Sequence, residues 1–447
     1  MKLIYNVDDK PKFSQILIFA FQQLLAILAA TIAVPSIIGN GMSQSAALFG
    51  AGAGTIIYLL FTKFKSPVFL GSSFAFISSM LAAFAGAASA SAGYLGLLIG
   101  ALFAGLVYVI LAIIVKIAGV NWIAKLMPAV VIGPTVAIIG LSLAGNAVGD
   151  VLTFAEFNVK ESVYVMGTHA WIGLICALVT IAGVVLSSIY GKKTLKLIPF
   201  IIGILSGYLV AVIFTVIGIK TGNASLQIID FSVFNNMKWY PDFTFLAAFK
   251  GIKEIDAQYI ATIAVAYVPV AFVVFAEHIA DHKNLSSIIE KDLLKEPGLH
   301  RTLLGDGVGS IVGALFGGCP NTTYGESVGC VAITKNASVI TILTTAIIAI
   351  IASFIAPFVT FLSTIPACVM GGVCITLYGF IAVSGLKMLQ NVDLNNNKNL
   401  FVASVILITG IGGMALKIGA VKITSIACAL ILGIIVNIIV SKAPDQE

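Results

Sequence analysis

Apolar runs of about 17–25 residues recur from one end of this 447-residue chain to the other, each long enough to cross a bilayer as a helix. Lipid offers no water to backbone N–H and C=O groups, so a chain built this way must satisfy them internally, as helices do. Hydrophobic residues make up 59% of the sequence and charged residues only 10%, against roughly a quarter in soluble domains. The expected class is an all-α polytopic membrane protein, solvated by membrane lipid, with no sizeable soluble domain. Hydropathy predicts fourteen spans, near 14–34, 46–63, 67–87, 92–117, 121–145, 169–190, 196–219, 258–281, 300–317, 320–334, 337–362, 366–388, 399–416 and 422–441.

The opening "MKLIYNVDDKPK" is polar and of mixed charge, and the first apolar run lacks a small-residue cleavage site, so no cleaved signal peptide is expected. Six cysteines are scattered through apolar segments without metal-ligand spacing and read as small buried hydrophobes. The formal charge of +6 does not point to nucleic acid, because the lysines cluster at span ends. With the N-terminus placed in the cytoplasm, 18 of the 25 basic residues fall on the inner side and 7 on the outer. That bias predicts both termini in the cytoplasm and a location in the cytoplasmic membrane.

The chain also repeats itself. "PAVVIG" at 128–133 returns as "PACVMG" at 366–371, each opening a span, and seven spans separate the two. An odd number of spans inverts the second copy, which predicts a 7+7 inverted repeat, the build of secondary transporters. Two spans in corresponding places are broken: the third reads "KSPVFLGSSFAFISSM" (65–80) and the tenth "GGCPNTTYGESVGCVAIT" (317–334). Proline, glycine and hydroxyl residues interrupt both helices and free backbone groups that lipid cannot satisfy. A half-helix starting at such a break points its N–H groups and positive dipole end at a ligand.

Four acids lie within or at the edge of spans: Glu277, Asp281, Asp306 and Glu326. Each costs about 2.5–3.5 kcal/mol at a helix centre and so needs a reason. Glu277 and Asp281 stand at i and i+4, on one helix face about 6 Å apart, where one carboxyl can bind and release a proton. Asp306, in "LLGDGVGS", is a candidate brace for the backbone of the broken spans. The four histidines suggest little, His278 pointing off the Glu277 face and His282 sitting near a span end. No nucleophile–base pair or metal cluster is visible, so neither an enzyme nor a cofactor is expected.

Carboxylates accept hydrogen bonds, while half-helix starts at Phe74 and Gly325–Glu326 donate them. The matching solute is small and flat with alternating N–H and C=O groups, such as a cyclic imide or pyrimidinedione. Phe74, Phe76, Tyr324 and Tyr378 are candidates to stack on its ring. An inorganic anion would want a lysine or arginine in the site, and the spans hold none near it.

These residues resemble the nucleobase–ascorbate transporter family, and within it the bacterial uracil permeases, from about Pro11 to Val436. The resemblance rests on "LGSSFAFIS" (70–78), "FAEH" (275–278), "KDLLKEPGLHR" (291–301), "PNTTYGE" (320–326) and "VAIT" (331–334). It implies a core domain (residues 1–119 and 251–363, spans 1–4 and 8–11) and a gate domain (residues 120–250 and 364–447, spans 5–7 and 12–14). It also implies short antiparallel strands within spans 3 and 10, and a homodimer through the gate domain. Glu277 and Glu326 would hold a uracil ring, and the backbone amides of Phe74 and Gly325 would bond its carbonyls. Ala30, Tyr324 and Tyr378 would line the pocket, with Ser73 counted among the substrate-binding residues. Transport would be proton-coupled uptake, with Glu277 and Asp281 as the coupling acids and the proton as the only coupling ion.

Three positions depart from the family pattern. Asp281 stands where a histidine is frequent, Ser327 replaces an asparagine, and Gln22–Gln23 replaces a Gln-His pair. The rival readings are a xanthine or other purine symporter of the same family, and an anion exchanger of similar fold. The acid at 326, where purine members often have glutamine, favours uracil.

Overall fold

The computed structural model describes residues 3–119, 122, 127–192, 194–418 and 421–442. The start of the predicted fifth span, apart from Trp122, lies outside the described residues, as do Lys2, Lys125 and Lys193 of the charge count. The chain is mostly helical. In order the elements are α1 (Phe13–Ile38), α2 (Gln44–Phe61), β1 (Leu70–Ser72), α3 (Ile77–Ala85) and α4 (Ala90–Ala118). Next come α5 (Ala129–Ser142), α6 (Ala144–Val151), the hairpin β2 (Glu156–Asn158) and β3 (Val163–Val165), α7 (Thr168–Tyr190) and α8 (Pro199–Thr221). Then follow α9 (Ala257–Ile289), α10 (Leu299–Gly317), β4 (Asn321–Thr323), α11 (Gly325–Thr334), α12 (Val339–Ala352) and α13 (Ala356–Ser363). The chain closes with α14 (Ala367–Met388), α15 (Asn397–Ile411), the hairpin β5 (Leu416–Ile418) and β6 (Val421–Ile423), and α16 (Ser425–Ser441).

Starts of these helices follow local chemistry. Ser43, Ser89, Asp256 and Thr424 accept from the backbone N–H three residues on, and Pro128 and Pro366 open α5 and α14. Among the described residues, and with α5 and α6 counted as one helix over Ala129–Val151, eight helices are long and apolar enough to cross a membrane, or nine if α12 and α13 count as one span bent by 83°. The predicted span over 337–362 covers this bent pair, whose bend hydropathy did not show. A departure is α9, which runs to Ile289, two turns beyond the predicted end at 281. Outward faces are apolar, with Ile110, Ile113, Ile213, Ile408 and Ile439 exposed, as contact with lipid tails requires.

Helices pack in two groups. α2 packs against α10, α12 and α1, and α4 against α10 and α9. Separately, α14 packs against α5, α6 and α7, α8 against α7, and α15 against α16 and α5. Between lipid-bathed helices association depends on close van der Waals fit, so small residues mark the seams. A Cβ on Gly50 would lie 2.5 Å from the Gly313 carbonyl oxygen, and one on Gly54 would lie 2.8 Å from that of Gly309. These pairs run α2 and α10 antiparallel. The repeat motifs behave alike: Gly133 abuts Gly385 and Gly140 abuts Tyr378, so α5 and α14 are antiparallel neighbours.

Residues 4–9 form a strap across three helix ends. The Ile4 N–H donates to the Lys335 carbonyl (2.8 Å), the Ala337 N–H to Tyr5 (2.9 Å) and the Val339 N–H to Val7 (3.1 Å). Asp8 meets Lys65 beyond α2 (3.5 Å) and Lys291 beyond α9 (3.2 Å). The Lys291 hydrogen bond holds the Asp8 carboxyl below its ordinary value.

Two predictions follow from this packing. Gly54→Val inserts a branched side chain against Gly309 and Asn321, and should cost about 1–3 kcal/mol; a lowered midpoint in detergent thermal melts is the measure. Because Asp8 has a depressed folded-state value, its tether is complete at neutral pH and is lost as pH falls below 3.8. Being exposed it contributes at most about 1 kcal/mol. Amide exchange at Ile4 and Ala337, corrected for intrinsic rate, should therefore quicken at pH 3 and in Asp8→Asn at pH 7.

Candidate functional site

Two interrupted segments cross at the centre of the molecule. β1 and β4 pair antiparallel in the register Leu70↔Thr323, Gly71↔Thr322 and Ser72↔Asn321. The ladder extends at both ends, the Ser73 N–H donating to the Pro320 carbonyl (2.9 Å) and the Tyr324 N–H to the Phe69 carbonyl (3.3 Å). Neighbouring helices satisfy the outer edges. Thr55 on α2 accepts from the Leu70 N–H (2.9 Å), and Ser310 on α10 donates to the Asn321 carbonyl; the Asn321 side-chain amide in turn donates to the Gly50 carbonyl of α2 (2.9 Å). The broken backbone therefore reaches the interior with its polar groups paired.

Beyond the crossing the two chains re-enter helix, through a 3₁₀ turn at Phe74–Phe76 into α3, and at Gly325 into α11. First-turn N–H groups have no intrahelical acceptor, and neither Ser73 nor Tyr324 at the cap position caps with its side chain. Both helix starts thus present backbone donors and a positive dipole end to the same place.

That place is a cavity of about 420 Å³, within the usual range for small-molecule sites. One wall carries Ser73, Phe74, Tyr324, Gly325 and Glu326 from the crossing, with Glu277 and Asp281 from α9. The opposite wall is apolar: Val136 and Ile139 of α5, Phe200 of α8, Leu377 and Phe380 of α14. The cavity therefore lies between the two helix groups. Its lining holds three carboxyl groups and neither lysine nor arginine. Thr323 of β4 donates to Asp281 Oδ2 (2.8 Å), fixing that acid against the crossing.

Three of the expected residues sit differently from the rest. Tyr378 is 2% exposed and packs edge-on behind Phe74, with ring centroids 6.0 Å apart. Ala30 is buried in α1 and is not among the lining residues. Phe76 is fully buried and stacks on Tyr267 at 5.4 Å, which removes it from the stacking candidates. The ring of Tyr324 lies over Gly71, where a Cβ would come within 2.3 Å of it, and its hydroxyl donates to the Ser72 carbonyl (2.8 Å). Asp306 is wholly buried and bonds His278 rather than the backbone of the broken segments. His282, expected near a span end, is 1% exposed.

Ser327 acquires a role that its sequence context did not suggest. Its hydroxyl oxygen accepts from the Phe69 N–H at 2.9 Å and from the Gln23 side-chain amide, and the residue is fully buried. One serine thereby ties α1, the entry to β1 and the first turn of α11. Its partners are 304 and 258 residues away in sequence, so no local pattern could have shown them. Ser327→Ala leaves the Phe69 N–H buried and unpaired, a loss of about 1–3 kcal/mol. Thermal melts should show it, and Ser327→Thr, which keeps the hydroxyl, should recover part of the loss.

Comparison with known proteins identifies the family. Residues 14–419 match the model of a permease family, Xan_ur_permease. The uracil permease of Bacillus caldolyticus is 39% identical over 99% of this chain and 96% of that protein. The uracil permease of Bacillus subtilis (strain 168) is 38% identical over 100% of this chain and 97% of that protein. That of Escherichia coli (strain K12) is 34% identical over 97% and 93%. Among solved structures, the transmembrane domain of the cyanobacterial bicarbonate transporter BicA superposes with a TM-score of 0.66 at 16% identity, covering 97% of this chain and 100% of that one. Murine Slc26a9, an anion transporter captured inward-facing, gives 0.68 at 12% identity, covering 97% and 69%. At those identities the two structures share the fold alone.

Proposed function

The chain belongs to this permease family, and on that premise we propose that it is a proton-coupled uracil importer of the cytoplasmic membrane, with both termini inside. The observation that carries the reading is the convergence of two half-helix starts and the carboxyl groups of Glu277 and Glu326 on one cavity. Uracil offers alternating donors and acceptors to such a set. Its ring N–H groups would donate to Glu277 and Glu326, and its carbonyls would accept from the backbone N–H groups of Phe74 and Gly325. Ser73, Tyr324 and Tyr378 would shape the pocket, with Ala30 packing in the layer behind it. Relatives named uracil permeases, 34–39% identical over nearly the whole chain, support that ligand.

The finer architecture belongs to the same proposal. Fourteen spans form a 7+7 inverted repeat, in which α5 with α14, and β1 with β4, are the paired counterparts. The group around α2, α4, α9 and α10 is the core domain and the group around α5, α7, α8 and α14–α16 is the gate, which also forms a homodimer contact. Movement of the core against the gate would open the cavity to each side in turn. Glu277 and Asp281 would take up the coupling proton, whose entry gains about 2.3 kcal/mol per 100 mV, roughly fifty-fold accumulation. No cofactor takes part.

Reconstituted vesicles with an inward proton gradient should take up radiolabelled uracil. Glu277→Gln and Glu326→Gln should each reduce uptake at least tenfold, and excess sulfate should not compete. Asp281→Asn should keep measurable binding but alter the dependence of uptake on external pH. Absence of uracil entry into wild-type vesicles, or normal uptake by both glutamate variants, would refute the proposal.

A further inference from the structure

α9 carries two pairs of titratable side chains, each at i and i+4. Glu277 and Asp281 line the cavity. His278 and His282 follow each acid by one residue, which turns them about 100° round the helix, and they are 0% and 1% exposed. Their rings stack with centroids 4.0 Å apart.

Every nitrogen of this back face is hydrogen-bonded to a fixed neighbour. His278 Nδ1 is bonded to Asp306 Oδ2 (2.8 Å) and Nε2 to Thr302 Oγ1 (2.9 Å), both on α10 and both wholly buried. His282 Nδ1 donates to the His278 carbonyl (2.8 Å), since a carbonyl can only accept. His282 Nε2 is then the acceptor for the Tyr58 hydroxyl of α2 (2.6 Å), which also lies 2.7 Å from Ser66 Oγ. The Tyr108 ring from α4 closes the layer edge-on to His278.

Apolar packing alone sets the rotation of α9 poorly. In the turns just before these four residues the helix is hydrophobic on every side, through Val268, Phe272, Val273, Val274 and Phe275, and Ile279 lies between the two pairs. A helix apolar all round can turn about its axis with little change in buried area. Directional hydrogen bonds at depth can fix that rotation, as a single buried polar residue fixes register in a coiled coil.

We propose that His278 and His282 are positioning residues: bonded to Asp306 and Thr302 of α10 and to Tyr58 of α2, they lock the rotation of α9 and so aim Glu277 and Asp281 into the cavity. The link to uracil rests on the function proposed above; the lock on the helix does not.

The six native cysteines are buried, so an introduced cysteine can be read against a low background. Ala280→Cys and Asp281→Cys, both on the cavity wall and about 100° apart on the helix, are labelled with a small methanethiosulfonate in the full-length protein in nanodiscs. The rate ratio between them is measured with and without the pair His278→Leu and His282→Phe. General loosening raises both rates together, whereas rotation changes their ratio, and a change of at least threefold is expected. Thr302→Val, which removes one bond, should shift the ratio in the same sense by less, and remains informative if the double variant does not fold. His278→Gln should restore most of the original ratio. With the native Ala280 and Asp281 in place, the histidine variants should bind uracil at least tenfold more weakly. An unchanged ratio overturns the proposal whatever uracil does, and a changed ratio with full uracil affinity overturns the claim that the pair aims the site. If the wild-type protein binds no uracil the proposed function falls, and the ratio alone decides the lock.

Discussion

Six residues of extended backbone, Leu70–Ser72 against Asn321–Thr323, are the constraint on which the rest of the molecule is arranged. An unpaired peptide group surrounded by hydrocarbon costs several kcal/mol, so a helix can be interrupted at depth only where something replaces its hydrogen bonds. Here each break supplies the other's partners. The pairing leaves two-sided edges that α2 and α10 must reach, and they approach closely enough to do so only because glycines face each other along their seam. With that in place, two helix starts must lie side by side, pointing their free N–H groups into one space. The cavity follows from this backbone arrangement before any side chain is specified.

The side chains that specify it come from an uninterrupted helix. α9 crosses beside the break and presents different chemistry on adjacent faces. Glu277 and Asp281 face the cavity, while His278 and His282 face α10 and α2. Carboxyl groups opposite a lining of Val136, Ile139, Phe200 and Leu377 sit at the boundary of two packed bodies. A ligand held there touches both bodies, so relative movement of the two changes what it meets on the apolar side while its polar contacts travel with the crossing. That asymmetry suits the proposed carrier, in which the side that would bind and the side that would slide are chemically distinct.

Much of this was legible in the sequence because it depends on composition and local pattern. Apolar run length gave the helices, proline with glycine marked both breaks, and i, i+4 spacing put Glu277 and Asp281 on one face. What local pattern could not supply was partnership across the chain. "EHIADH" reads as two acids with incidental histidines until Asp306, Thr302 and Tyr58 arrive from other helices to make the histidines a bonded layer. Phe76 and Phe74 are two residues apart in one aromatic run, yet one is sealed against Tyr267 and the other lines the cavity. The 3₁₀ turn at Phe74–Phe76, just beyond the crossing, aims successive side chains differently from a regular helix.

Ser327 shows how far such partnership alters the meaning of a residue. Judged by capacity, a serine offers fewer hydrogen bonds than the asparagine frequent at this position in the family. In the folded chain it needs only to accept twice, from the Gln23 amide and the Phe69 N–H, and its short side chain brings both within reach. Gln23, the second of the paired glutamines in α1, is the complementary departure, a donor that meets the serine where a histidine is common. Two positions that look like separate losses are one contact, and it lies one residue from Glu326. The first turn of α11 is thereby tied to the strand entry on one side and to α1 on the other. The acid and the helix start at Gly325 are consequently held by the same three-way junction that satisfies the break.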